Sequence, residues 1–387
     1  MTTTYGILST YPPTQCGLAT FTAALTAALS SPRDVVEIVA VADAHDEHEH
    51  GPVPGPVHVW VRSDAHGAAA AAARLNDADV AVIQHEYGIF GGPDGEDVLE
   101  VVRMLTVPVI VVLHTVVTTP TLRQRAILDE LVLRADAVVT MTHTARERLL
   151  DQYEVPAGVH VVPHGASDSR PTAVPPRDDD VAAVRADARP TILTWGLLGP
   201  GKGIEWGIEA MAGLRDLHPH PRYLVLGETH PKVRQAEGEE YRRMLEQRVA
   251  DLGVGGLVEF DARYLTTDEL HQAVREADMV LLPYDSRDQV TSGVLVEAVT
   301  AHRPVVSTGF PHAAELLASG SGLLVERGDA HSIATAVRRV LTEPGLAASM
   351  SAEAGRIAPG LLWSAVAQQY REVAECALLE NQDRMSA

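Results

Sequence analysis

The segment TILTWGLLGPGKG, residues 191–203, settles the architecture. Thr191–Trp195 is a short apolar, β-branched run, the pattern of a buried strand. Glycines at 196, 199, 201 and 203 interrupt it, and Ile204–Leu217 continues with apolar residues at helical spacing. A strand, a glycine-rich turn and a helix form the opening half of a βαβ unit, with the turn at the strand's carboxyl end. Lys202 then stands at a helix N-terminus, where backbone N–H groups favour an anion. The spacing also matches G-x-x-x-x-G-K, and Asp285 follows a later strand. However, residue 203 is glycine where a P-loop needs Ser or Thr for Mg²⁺, so an NTPase reading is the weaker one.

Outward from this segment the same grammar repeats. The second half predicts strands at Tyr223–Gly227, Leu257–Asp261, Met279–Pro283, Val305–Thr308 and Gly322–Val325, with helices at Glu239–Leu252 and Ser292–Ala301. The first half predicts Tyr5–Leu8, Val35–Val41, Val57–Val61, Val80–His85, Val109–His114, Ala137–Met141 and Val159–Pro163, with helices at Leu18–Leu29 and Gly67–Leu75. Strands alternating with helices mean parallel sheets covered on both faces. Asp168–Pro190 carries four prolines and three consecutive aspartates, the composition of a linker. The expected layout is a first domain at 1–168, a linker at 169–189, a second domain at 190–358 and a terminal helical segment at 359–387. The fold class is α/β: two facing, doubly wound, Rossmann-like domains with an interdomain cleft.

Composition narrows the function. The 387 residues carry 31 Lys+Arg against 52 Asp+Glu, a net charge of −21 with histidine neutral. Such a chain lacks the positive field that nucleic acid or an anionic membrane requires. Two distant cysteines, Cys16 and Cys376, make no disulfide framework, and no apolar run is long enough to span a bilayer. The expectation is a soluble cytoplasmic protein without an integral membrane segment.

Ligands of doubly wound sheets bind beyond the carboxyl ends of the strands. Three strands of the first half end in His85, His114 and His164. One such histidine is ordinarily a hydrogen-bonded edge residue; three at one rim point to substrate, with His114 the expected contact. No ligand spacing supports a metal, and the acidic, histidine-rich run Asp43–His50 reads as a surface loop. Gly17 precedes the first helix and lets an anion approach its N-terminus, although no dinucleotide fingerprint is present. In DQVTSGVLVEAVTAHRP, residues 288–304, Ser292 is an N-cap and Gly293 and Val294 open a helix with free N–H groups. Glu297 then reaches ligand hydroxyls, and Gln289 lies in the approach loop. A nucleotide-sugar offers all the matching groups: a diphosphate, a ribose diol and sugar hydroxyls.

These segments resemble family 4 of the retaining glycosyltransferases, which have the two-Rossmann GT-B fold. The likeness runs through QHEYGIFGG at 84–92, LHT at 113–115, PHG at 163–165, GLLGPGKG at 196–203, LGETHP at 226–231, ADMVLLPY at 277–284, QVTSGVLVEA at 289–298 and FPHAAELL at 310–317. The terminal helix with Trp363 is similar to the family segment that crosses back to the first domain. The resemblance implies that Lys202, the Gly293 and Val294 amides and Gly17 bind a donor diphosphate. It implies that Glu297 holds the ribose, that Gln289 and His114 contact the transferred sugar, and that the Arg263-Tyr264 segment borders the base. It also implies retention of anomeric configuration and a UDP or GDP sugar as donor, without metal or other cofactor. The acceptor, whether small molecule, glycan or lipid-linked, is not implied. Two positions depart from the pattern: Gln289 replaces the first glutamate of E-x7-E, and Leu197 replaces an arginine, for which Arg263 is a candidate substitute. They motivate a rival reading as a non-catalytic nucleotide-sugar scaffold or sensor. Another GT-B enzyme, an epimerase or phosphorylase, is a second rival.

Overall fold

A computed structural model describes residues 2–43, 57–62, 64, 66–168, 189–287 and 289–386. Residues 44–50 of the Asp43–His50 run and residues 169–188 of the expected linker lie outside the described residues. The chain divides into two compact units, Met1–Gly165 with Trp363–Ala387, and Ala166–Leu362.

Unit 1 contains β1 (Thr3–Ser9), β2 (Asp34–Ala42), β3 (Val57–Val61), β4 (Val80–His85), β5 (Val109–Leu113), β6 (Ala137–Thr140) and β7 (Gly158–Val161). They form one sheet in the order β3-β2-β1-β4-β5-β6-β7, with every pairing parallel. Unit 2 contains β8 (Thr191–Trp195), β9 (Arg222–Leu226), β10 (Val258–Asp261), β11 (Met279–Leu282), β12 (Val305–Thr308) and β13 (Gly322–Val325). Their order is β10-β9-β8-β11-β12-β13, again all parallel. Counted within each unit, both orders are the Rossmann order, reversing beside the first strand. Ligand crevices are expected at that switch, between β1 and β4 and between β8 and β11.

Each sheet is buried on both faces, which is why its strands read as continuous apolar runs. The side-chain period of two sends Ile192, Met279 and Leu281 to one layer of the unit 2 core and Leu193, Val280 and Leu282 to the other. In unit 1 the Gly17–Leu29 helix buries Phe21, Leu25 and Leu29 beside Val366, Tyr370 and Val373 of the terminal helix Trp363–Ser386.

Two helix extents differ from the sequence expectation. The helix predicted over Ile204–Leu217 stops at Ala212. Gly213 follows it, with the Ala334 methyl 3.3 Å from where its own Cβ would stand, and glycine is a poor helix former. In the terminal segment, expected to be helical over 359–387, a short 3₁₀ turn comes first and the α-helix runs from Trp363 to Ser386.

Candidate nucleotide-sugar site

At the β8–β11 switch of unit 2, the loop Gly196–Gly203 folds through left-handed or extreme backbone at Gly196 (φ +123°), Gly201 (φ +88°) and Gly203 (φ +62°). A Cβ on Gly203 would stand 1.8 Å from the Pro283 carbonyl oxygen, so no other residue fits there. That explains why the position cannot carry the Mg²⁺-binding hydroxyl of a P-loop. Asp285 has a fastening role: its N–H donates to the Gly201 carbonyl (3.0 Å), and its carboxylate accepts from Trp206 Nε1 (3.4 Å). The Lys202 ammonium stands 4.5 Å above the centroid of the Tyr284 ring, which itself stacks on Phe310. A cation held over an aromatic face loses freedom, so it is preset for an anion.

The Gly293–Thr300 helix opens beside this loop. Val294 Cγ2 is the nearest atom, at 3.9 Å, to a Cβ built on Gly196. The Ser292 hydroxyl accepts from the Leu295 N–H (3.3 Å), and the Ser292 N–H donates to His312 Nδ1 (2.8 Å). The Gly293 and Val294 amides belong to the first turn, which has no intrahelical acceptors. Glu297 accepts a hydrogen bond from Trp195 Nε1 (3.3 Å), tying the helix to the end of β8. Burial pushes its carboxyl up to about 7, against the opposing effect of the Trp195 bond. Gln289 lies in the approach to the helix, with its amide donating to the Thr291 carbonyl (3.0 Å).

Lys202, Gln289, Gly293, Val294 and Glu297 are thus gathered at the carboxyl ends of two adjacent strands. Arg263 stands apart from them, after the edge strand β10. Its guanidinium is exposed and forks onto Asp261 (2.6 Å), with Glu269 at 3.8 Å.

In unit 1, Gly17 opens a helix capped by Cys16, whose Sγ accepts from the Ala19 N–H (3.4 Å). A Cβ on Gly17 would meet nothing within 4 Å, so its backbone stands open to a ligand. One turn on, the Phe21 ring meets His114 edge-on at 4.8 Å, and His164 and Trp363 at 5.0 Å each. His114 shares a hydrogen bond of 2.6 Å with Gln84 Oε1, which places the imidazole proton on Nε2. Burial, with His164 and His85 nearby, lowers its pKa to about 3; burial lowers His85 and His164 to about 4. The three strand-end histidines therefore do gather, as neutral rings. His85 is fully buried and has no partner for either ring nitrogen.

Sequence reasoning did not single out Trp195, Tyr284, His312 or Gln84, which hold Glu297, Lys202, Ser292 and His114. Each lies 20 to 102 residues from the group it holds. The available signal was a polar or aromatic residue at or just beyond a strand end. Among the described residues no cluster of three or more His, Cys, Asp and Glu is placed to hold a metal ion.

Residues 16–170 match the model of glycosyltransferase family 4, and residues 189–343 that of glycosyl transferases group 1. The chain belongs to the group 1 glycosyltransferases and has their GT-B fold. It is 27% identical over 275 residues to an alpha-D-kanosaminyltransferase of Streptomyces kanamyceticus, covering 65% of this chain and 66% of that protein. It is 31% identical over 261 residues to a D-inositol 3-phosphate glycosyltransferase of Kineococcus radiotolerans, covering 63% and 58%. The chain thus spans between about half and two thirds of the curated relatives it matches. Among solved structures it is similar to Anabaena HepE in complex with UDP and glucose, with a TM-score of 0.73, 18% identity and coverage of 96% and 99%. It is likewise similar to sucrose-phosphate synthase of Thermosynechococcus elongatus, with a TM-score of 0.74, 18% identity and full coverage of both chains.

Proposed function

We propose that this protein is a retaining, metal-independent hexosyltransferase that uses a nucleoside-diphosphate sugar, with UDP or GDP as the carrier. The observation that carries the reading is the gathering of Lys202, the Ser292-capped helix end and Glu297 at one switch point. A cation, first-turn amides and a hydroxyl acceptor there offer partners for a diphosphate and its ribose. Relatives support the donor class: one is named a GDP-mannose-dependent mannosyltransferase, and a fold neighbour is described with UDP-glucose.

In the proposed reaction the bond from the anomeric carbon to the β-phosphate oxygen breaks, and its electron pair leaves with that oxygen. Lys202 and the Gly293 and Val294 amides stabilise the developing charge, each contact contributing about 3 kcal/mol in the transition state. The acceptor hydroxyl attacks from the same face, and its proton passes to the departing phosphate. His114, neutral across the physiological range, contributes hydrogen bonding beside the sugar rather than a charge. Gln289 offers an uncharged amide to the sugar hydroxyls.

The test is thermal stabilisation by UDP, GDP, ADP, TDP and CDP, each with and without Mg²⁺, on wild type and Lys202→Ala. A ligand at about 100 times its dissociation constant adds about 2.7 kcal/mol. Stabilisation by a diphosphate without Mg²⁺, lost in the variant, supports the reading. No response to any of the five overturns it. Binding without turnover of the corresponding sugar donors, over a panel of acceptors, favours a sensor or scaffold.

A further inference from the structure

The chain has only two lysines, Lys202 and Lys232, among its 31 basic residues. The fold brings their two loops together. The Leu198 N–H donates to the Glu228 carbonyl (2.8 Å), and the His230 N–H returns a bond to the Leu198 carbonyl (2.8 Å). Gly199 is closed in by the second loop: a Cβ there would lie 3.1 Å from Val233 Cγ2 and 4.0 Å from His230 Cβ. The Lys202 N–H bonds to the Gly199 carbonyl (3.2 Å), and the Lys232 N–H bonds to His230 Nδ1 (3.2 Å). Because Nδ1 accepts, the neutral His230 ring carries its proton on Nε2 and keeps a donor. Both ammonium groups act on this imidazole, adding to burial in holding its pKa below the usual value. Arginines of the same region are directed elsewhere: Arg234 to Glu228 (3.2 Å), and Arg242 to the Gly227 carbonyl (2.6 Å) and Glu239 (3.6 Å).

We propose that Lys232, together with the Nε2–H of His230, is a second cationic contact for the donor diphosphate beside Lys202. It would replace the charge absent at Leu197. This inference rests on the nucleotide-sugar reading of unit 2. An anion with several charges would draw on both ammonium groups and on the Nε2–H donor. Sequence distance hides the pairing, since Lys232 follows a different strand from Lys202.

The experiment compares wild type, Lys202→Ala, Lys232→Gln and Lys232→Arg by calorimetric titration, using whichever of the five nucleoside diphosphates stabilises the wild type and its unphosphorylated nucleoside. Lys232 is exposed, so its variants should keep the wild-type melting temperature without ligand. The expected result is a diphosphate affinity about tenfold weaker in Lys232→Gln, substantially restored in Lys232→Arg, with nucleoside affinity unchanged. The loss should shrink as salt rises, because screening weakens the contact in the wild type. If Lys232→Gln binds the diphosphate as wild type does while Lys202→Ala does not, this inference fails and the proposed function stands. If Lys232→Gln weakens the nucleoside equally, the effect is structural and the inference also fails. If the wild type binds none of the diphosphates, the proposed function fails, and the inference with it.

Discussion

Glu297 concentrates the physical chemistry of the site at one side chain. Its carboxyl, raised by burial to about 7, is protonated in much of the free protein below neutrality. A ribose diol needs the carboxylate as acceptor. Donor affinity and kcat/KM should therefore rise with pH through about 7, the limb belonging to the free enzyme. Glu297→Gln should flatten that limb and weaken donor binding about tenfold, which titrations from pH 5.5 to 8.5 would show. The linkage sign is opposite for folding. The native state keeps this proton between the ordinary carboxyl value and 7 while the unfolded chain releases it, so the group's contribution to stability is lost as pH rises through that window. Gly203 shows a second single-residue constraint. Its left-handed φ and the Pro283 carbonyl leave no room for a side chain, so Gly203→Ser should cost at least about 2 kcal/mol. Chemical denaturation would measure this, and an unchanged midpoint would contradict the geometry.

Among the elements, the terminal helix Trp363–Ser386 has the most consequence for unit 1. Its Arg371 donates to Asp34 (2.9 Å) and to the carbonyls of Ala28 (3.1 Å) and Leu29 (3.0 Å) at the end of the Gly17–Leu29 helix. The pair is largely shielded, with side-chain exposures of 23% and 12%. Arg371→Met should cost unit 1 about 2 kcal/mol by stranding a carboxylate and two carbonyls. Urea unfolding followed by far-ultraviolet circular dichroism would detect it as a lower midpoint for one of the two units. The amphipathic pattern made this helix legible, but not its partner. Apolar periodicity shows that a face is buried and leaves open against what. Likewise the loop at 196–203 was legible as glycines before a helix, whereas the Tyr284 ring beneath Lys202 was not.

At the scale of the whole molecule, each unit has its own core, and calorimetry should resolve two transitions. A nucleoside diphosphate should raise the unit 2 transition. Acid should lower that of unit 1, where His85, His114 and His164 are held neutral. Their depressed pKa values mean that the unfolded chain binds protons first as pH falls below about 6.5, so this stability is lost toward pH 4. Scans at pH 7.5 and pH 5 would contradict this if the two transitions shifted equally.

The strand, loop and helix order, the parallel sheets and the chemistry of residues 196–203 and 288–304 were written in the chain, because periodicity, glycine and capping are local properties that survive without a fold. Strand order could not be read that way. It depends on which βαβ units cross over, and it brings Trp195 to Glu297 across 102 residues and Lys202 to Tyr284. The neutrality of His114 and the raised pKa of Glu297 follow from neighbours and burial. Those belong to packing, in which residues far apart in sequence share one dielectric environment.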